Sequence, residues 1–153
     1  QLYLDVAGVL MVALDNKGNI TLVNSKGCSI LGDSQPDLLR KNWFSDFVPA
    51  DSQAELINDY NNLMESGTGF QEYFESTIVT SSGIQRDLAV HASLLRDLDG
   101  RISGMLFSGE DITERKRAER ALRTSEENYR TLFDGMVSAT SAMAAYRSGS
   151  EEG

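Results

Sequence analysis

Leu95-Arg96-Asp97-Leu98-Asp99-Gly100-Arg101-Ile102-Ser103-Gly104-Met105-Leu106-Phe107-Ser108-Gly109-Glu110-Asp111-Ile112-Thr113-Glu114-Arg115-Lys116 contains a turn, a strand and a helix start in succession. Asp97-Leu98-Asp99-Gly100 ends in a glycine able to take positive φ, so it reads as the turn of a hairpin. The strands expected on either side are Ile84–Arg96 and Arg101–Ile112, and charged helix formers begin at Thr113. Turns of the same shape occur upstream at Thr80-Ser81-Ser82-Gly83 and Asp15-Asn16-Lys17-Gly18. They add strands over Phe70–Thr80, Val9–Asp15 and Asn19–Asn24. Between the first hairpin and the last three strands, helices are expected at Ser25–Leu31 before Gly32, at Pro36–Arg40 and at Ser52–Met64 before Ser66-Gly67. Five strands with the helices gathered into one insertion predict an α+β domain, in which one antiparallel sheet has its inner face covered by that insertion.

Alternation along 84–96 puts Leu88, Val90, Ala92 and Leu94 on the core side and Ala89, His91, Ser93 and Leu95 on the other. The last strand is apolar on both faces, as a central strand should be. Leu106 and Ser108 are assigned to the core side, and Met105 and Phe107 to an outer face that then needs a cover. The segment after Ile112 predicts a helix to about residue 136. Thr113 is its expected N-cap, and Glu119–Arg123 and Glu126–Arg130 are its expected i,i+4 pairs. Ala118, Leu122, Ser125, Tyr129, Leu132 and Met136 recur at four- and three-residue steps, the seam of a short two-stranded coiled coil. A partner helix or the domain's own surface could cover this stripe. Residues 137–153 are rich in Ala and Ser and have no core of their own, so they are expected to be poorly ordered or to begin a following domain.

The 153 residues suffice for one core, and 41% hydrophobic with 24% charged residues is ordinary for a globular protein. No apolar run approaches the ~20 residues that cross a bilayer, and Gln1-Leu2-Tyr3-Leu4-Asp5 lacks the features of a signal peptide, so a cytoplasmic domain boundary is expected. The net charge of −9 is concentrated in residues 1–112, where seven Lys/Arg face sixteen Asp/Glu. Such a surface repels phosphate backbones, so neither nucleic acid nor direct membrane contact is expected. The single Cys28 excludes an internal disulfide and a thiolate zinc site.

Three segments together resemble a PAS domain with its PAC motif over residues 3–116. They are Asp15–Asn24 followed by Gly27-Cys28-Ser29-Ile30-Leu31-Gly32, then Leu95–Gly104, and finally Glu110-Asp111-Ile112-Thr113-Glu114-Arg115-Lys116. Ser125-Glu126-Glu127-Asn128-Tyr129-Arg130-Thr131-Leu132-Phe133-Asp134 resembles the lead-in to a further PAS domain. The resemblance implies a sensor module spanning 1–112, a helical signalling linker over 113–136, and an output domain such as a histidine kinase or cyclic-dinucleotide enzyme in the same polypeptide. Two positions depart from the pattern: Asp33 replaces a common aromatic, and Arg40 stands where glycine is usual.

Catalysis is not expected, because no nucleophile motif, phosphate-cradling loop or Asp-rich metal cluster is present. His91 is a poor haem ligand on a face opposite the core set. Cys28 lacks the Asn-Cys-Arg surroundings of light-sensing LOV relatives, and Trp43, Phe44 and Phe47 read as core before they read as a flavin stack. The cofactor is therefore left unassigned. The expected ligand pocket lies between sheet and helices and is lined by Trp43, Phe47, Val90, Ala92, Leu106 and Ser108; it holds a small apolar molecule or is closed by neighbours. Asp111 and Thr113 are the expected signal-transmission pair. Met105, Phe107, Ala118, Leu122, Tyr129 and Leu132 are the expected homodimer and linker contacts. The resulting expectation is a non-enzymatic sensory domain, with a ligand-free dimerising spacer as the alternative.

Overall fold

The computed structural model describes the backbone of residues 8–151 and the side chains of residues 8–137. Strands β1 (Leu10–Asp15) and β2 (Ile20–Val23) form the first hairpin, and β3 (Tyr73–Val79), β4 (Gln85–Arg96) and β5 (Ile102–Asp111) form the meander. All pairings are antiparallel in the order β2-β1-β5-β4-β3, which places the last strand at the centre. The first turn is held by Asp15, whose Oδ1 accepts from the backbone N–H of Lys17 and of Asn19 at 2.9 Å each, while Gly18 takes a φ of 86°.

Helix α1 (Ser25–Leu31) starts on a buried Asn24 whose side chain serves two elements at once. Its Oδ1 accepts from Gly27 N and from Met11 N, both at 2.9 Å, and its Nδ2 donates to the Val9 carbonyl at 2.7 Å. One side chain thus caps α1 and fastens it to β1. Helix α2 is the single turn Gln35–Leu38. Helix α3 (Trp43–Phe47) lies where no helix was expected, because five residues show no periodicity. Its signature is the reciprocal cap in which Asn42 Oδ1 accepts from Phe44 N and Ser45 N while Asn42 N–H donates to Asp46 Oδ2. A 3-10 turn at Ala50–Ser52 leads into α4 (Gln53–Ser66), which stops at Gly67 with φ 69°.

The core lies between the inner sheet face and these helices. Leu10, Val12, Leu14, Ile20, Val23, Leu31, Leu38, Phe47, Ile78, Leu88, Ala92 and Met105 are all at most 2% exposed. Helix α5 runs from Thr113 to Glu151, past the boundary expected at residue 136. No proline interrupts residues 137–151, and alanine there favours continued helix. The expectations for residues 1–7 and 152–153 lie outside the described residues. Residues 8–113 and 114–151 fall into separate compact units, so each is considered by itself. Among the described residues no helix is long and apolar enough to cross a membrane.

Candidate functional site

A cavity of about 510 Å³ opens between α3, α4, the 68–71 loop and the inner face of β3, β4 and β5. Its depth is apolar: Leu10, Phe44, Val48, Ile78, Leu88, Val90, Ala92 and Met105 are buried residues of its wall. Trp43, Leu63, Phe70, Phe74 and Phe107 also line it and are partly buried. Phe74 meets Phe107 edge-on at 6.5 Å between centroids, and Phe44 packs on Tyr60 at 5.0 Å. Asp59, Asn62, Thr68 and Gln71 are exposed lining residues at the mouth, and Ser76, half-buried opposite Leu88 on β3, is a polar group of the wall. The Tyr60 hydroxyl donates to the Asp15 carbonyl at 2.6 Å. Burial, with a further contribution from the Asp15 charge, pushes its pKa far above the ordinary tyrosine value, so the phenol stays protonated.

Trp43, Val90 and Ala92 stand in the cavity wall, as the sequence reading places them. Phe47 does not: it is fully buried beneath the wall, 5.6 Å from Trp43, with the Lys41 ammonium 5.6 Å from its ring centroid. Leu106 and Ser108 are also displaced, for a definite reason. Arg96 pairs with Ile102, but Leu95 pairs with Gly104, so β5 carries one extra residue at a bulge. Beyond it Ala92 lies opposite Phe107 and Leu94 opposite Met105, and residues directly opposite share a face. Met105 and Phe107 therefore line the cavity and are not on the outer face, while Leu106 and Ser108 join Ser93 and His91 outside. A regular ladder extended from Arg96–Ile102 would have paired Ala92 with Leu106, the arrangement inferred from sequence.

The end of β5 is tied to its neighbour through side chains. The Thr113 hydroxyl accepts from Asp87 N–H at 2.9 Å and donates to Asp111 Oδ1, which also accepts from Thr113 N–H at 3.0 Å. The second Asp111 oxygen lies 3.7 Å from an Arg86 guanidinium nitrogen. Thr113 is 3% exposed, so its hydroxyl bonds back into the sheet from a buried position at the first residue of α5.

Residues 4–117 match the family described as the PAS fold. The chain belongs to the PAS fold family. Two curated relatives contain a similar segment. One is the C4-dicarboxylate transport sensor protein DctS of Rhodobacter capsulatus, 30% identical over 77% of this chain and 18% of its own length. The other is sporulation kinase C of Bacillus subtilis, 34% identical over 84% of this chain and 29% of its own length. This chain spans less than a third of either. Among solved structures, the PAS domain of a Colwellia psychrerythraea protein superposes with a TM-score of 0.63 at 14% identity, covering 74% of this chain and 93% of that one. The PAS domain of the Cronobacter turicensis RpfR quorum-sensing receptor, in complex with C12:0, gives 0.58 at 22% identity over 70% and 96%.

Other side chains singled out in the sequence of this PAS domain lie away from the cavity lining. His91 lies on the outer face, stacked on Tyr73 at 4.5 Å. Cys28 is partly buried against the core. Asp33, where an aromatic is usual, binds Lys41 Nζ at 2.6 Å and accepts from the Ser81 hydroxyl, joining the end of α1 to the β3–β4 turn. These hydrogen bonds hold the Asp33 carboxyl below its ordinary pKa, and the same contact raises Lys41. On α5, Glu119 pairs with Arg115 at 3.9 Å and Lys116 at 4.0 Å, not with Arg123 as expected. The lining residues the sequence reading missed include Leu56, Tyr60 and Leu63, whose helical spacing on α4 was available as a signal. Phe70 and Gln71 sit in a loop that carries no period.

Proposed function

We propose that this PAS domain is the sensory input of a larger signal-transduction protein. A small, largely apolar molecule occupies the cavity, and its presence is passed through Asp111 and Thr113 to α5. In this reading α5 pairs with that of a second copy and acts on an output domain such as a histidine kinase in the same cytoplasmic polypeptide, and the domain performs no chemistry itself. The observation that carries the reading is the cavity: 510 Å³ falls within the ~300–1,000 Å³ of small-molecule sites, and an apolar depth with polar groups at the mouth is their usual composition. The names of the two relatives, a sensor protein and a kinase, and the RpfR neighbour bound to C12:0 support it. A C4-dicarboxylate, the molecule in the name of the Rhodobacter relative, would need cationic partners, and among the described residues the lining holds no Lys, Arg or His.

Homodimer contacts are proposed through the stripe Ala118, Leu122, Tyr129 and Leu132. Leu122, Tyr129 and Leu132 are 62–70% exposed. On the outer sheet face Leu106, with Leu95 and Tyr73, takes the part first given to Met105 and Phe107.

Native mass spectrometry of the purified chain before and after exposure to cell extract tests occupancy. A retained small molecule is expected, and Ala92→Phe, which fills the cavity from its floor, is expected to expel it. A chain that retains nothing in either form would leave the ligand-free dimerising spacer as the better account.

A further inference from the structure

We infer that the cavity selects against carboxylates and takes an amphiphile with a positively charged amine head in preference to a neutral or anionic one; this rests on the small-molecule reading above. Among the described residues the lining offers one charged side chain, the carboxylate of Asp59. Asp59, Asn62 and Gln71 sit at the mouth with side chains that make no hydrogen bond or ion pair among the described residues, so their polar atoms are free for a head group. Arg96 stands beside the same loop, 3.7 Å from where a Cβ of Gly67 would lie, but it donates to the Gly100 carbonyl at 2.9 Å and is not part of the lining.

The walls add to the same preference. A carboxylate entering this mouth would lose hydration, meet Asp59 and gain no cation, whereas an ammonium would gain a charge-assisted hydrogen bond. The aromatic rings of Trp43, Phe70 and Phe74 in the lining favour a cation near their faces and suit an apolar tail. At ~30 Å³ per water-sized group the volume admits roughly 17 such groups, which accommodates a medium-length alkyl chain.

The single tryptophan of the chain is in the wall, so its emission reports occupation of the cavity. The 153-residue chain is titrated below micellar concentrations, at physiological salt, with decylamine, decanol and decanoate, which share one tail and differ in head. Saturable changes in Trp43 emission are expected, with decylamine binding about tenfold more tightly than decanoate and decanol lying between. Asp59→Asn, at an exposed position with no partner, is expected to bring decylamine close to decanol and leave decanol unchanged. Ala92→Phe is expected to abolish all three responses, and native mass spectrometry of each mixture reads the same outcome if that variant folds poorly. Decanoate binding as tightly as decylamine, or an undiminished amine preference in Asp59→Asn, overturns the head-group inference while the cavity remains a binding site. No complex with any of the three probes overturns the small-molecule reading as well.

Discussion

Gly104 shows how narrow the tolerance of the central strand is. A Cβ built on it would lie 1.8 Å from the Leu14 carbonyl oxygen and 2.9 Å from the carbon, both backbone atoms of the neighbouring strand. Gly104→Ala therefore has to separate β1 from β5. A loss above about 3 kcal/mol, or no folded protein, is expected in urea unfolding. Asp33 gives a different kind of prediction. Its pKa is lowered on folding by the bonds from Lys41 and Ser81, so it binds protons less readily in the native state. The stability it contributes is present above the ordinary value of 3.8 and is lost as pH falls through the lower native value. Lys41, raised above 10.5, contributes in the opposite sense: its share is present below 10.5 and is lost as pH rises through the native value. Asp33→Asn is expected to be less stable than the parent at neutral pH, the difference closing below pH 3.8. Thermal melts from acid to neutral pH measure this.

At the scale of elements, the junction between β5 and α5 is held to β4 by the Thr113 hydroxyl and by the Ile112 N–H, which donates to the Asp87 carbonyl at 2.8 Å. Thr113→Val keeps the shape and removes the hydroxyl that accepts from the Asp87 N–H and donates to Asp111. A cost of about 1–3 kcal/mol is expected. Hydrogen exchange should locate it, with faster exchange at Asp87 and Thr113 and little change in β1. Equal loss of protection throughout the sheet would show that the bonds serve global stability and not this junction. The bulge before Gly104 acts at the same scale: one added residue decides which side of the central strand lines the cavity and which lies on the outer sheet face.

At the scale of the molecule, the two compact units make separable predictions. Leu122 and Leu132 are 62% and 69% exposed on α5. Replacing both with lysine is expected to weaken self-association at least tenfold in analytical ultracentrifugation while leaving the sheet's near-ultraviolet spectrum and Trp43 emission unchanged. An unaltered dimer would exclude the α5 stripe as its seam. The surface pairs around Glu119 lie within one helix and add at most about 0.5 kcal/mol each, so the proposed association would have to come from burial of that stripe.

Much of this architecture was legible in local chemistry. Glycine-closed turns marked every hairpin, alternation along 84–96 identified the inward side of β4, and the change to charged helix formers at Thr113 marked the start of α5, because turn geometry, pleat and helix propensity are properties of neighbouring residues. Tertiary structure alone decided the face of β5, the place of Phe47 under the wall and the entry of the loop residues Phe70 and Gln71 into the cavity lining. These depend on a one-residue shift in pairing and on segments far apart in the chain meeting across a void, and no period within a single segment records either.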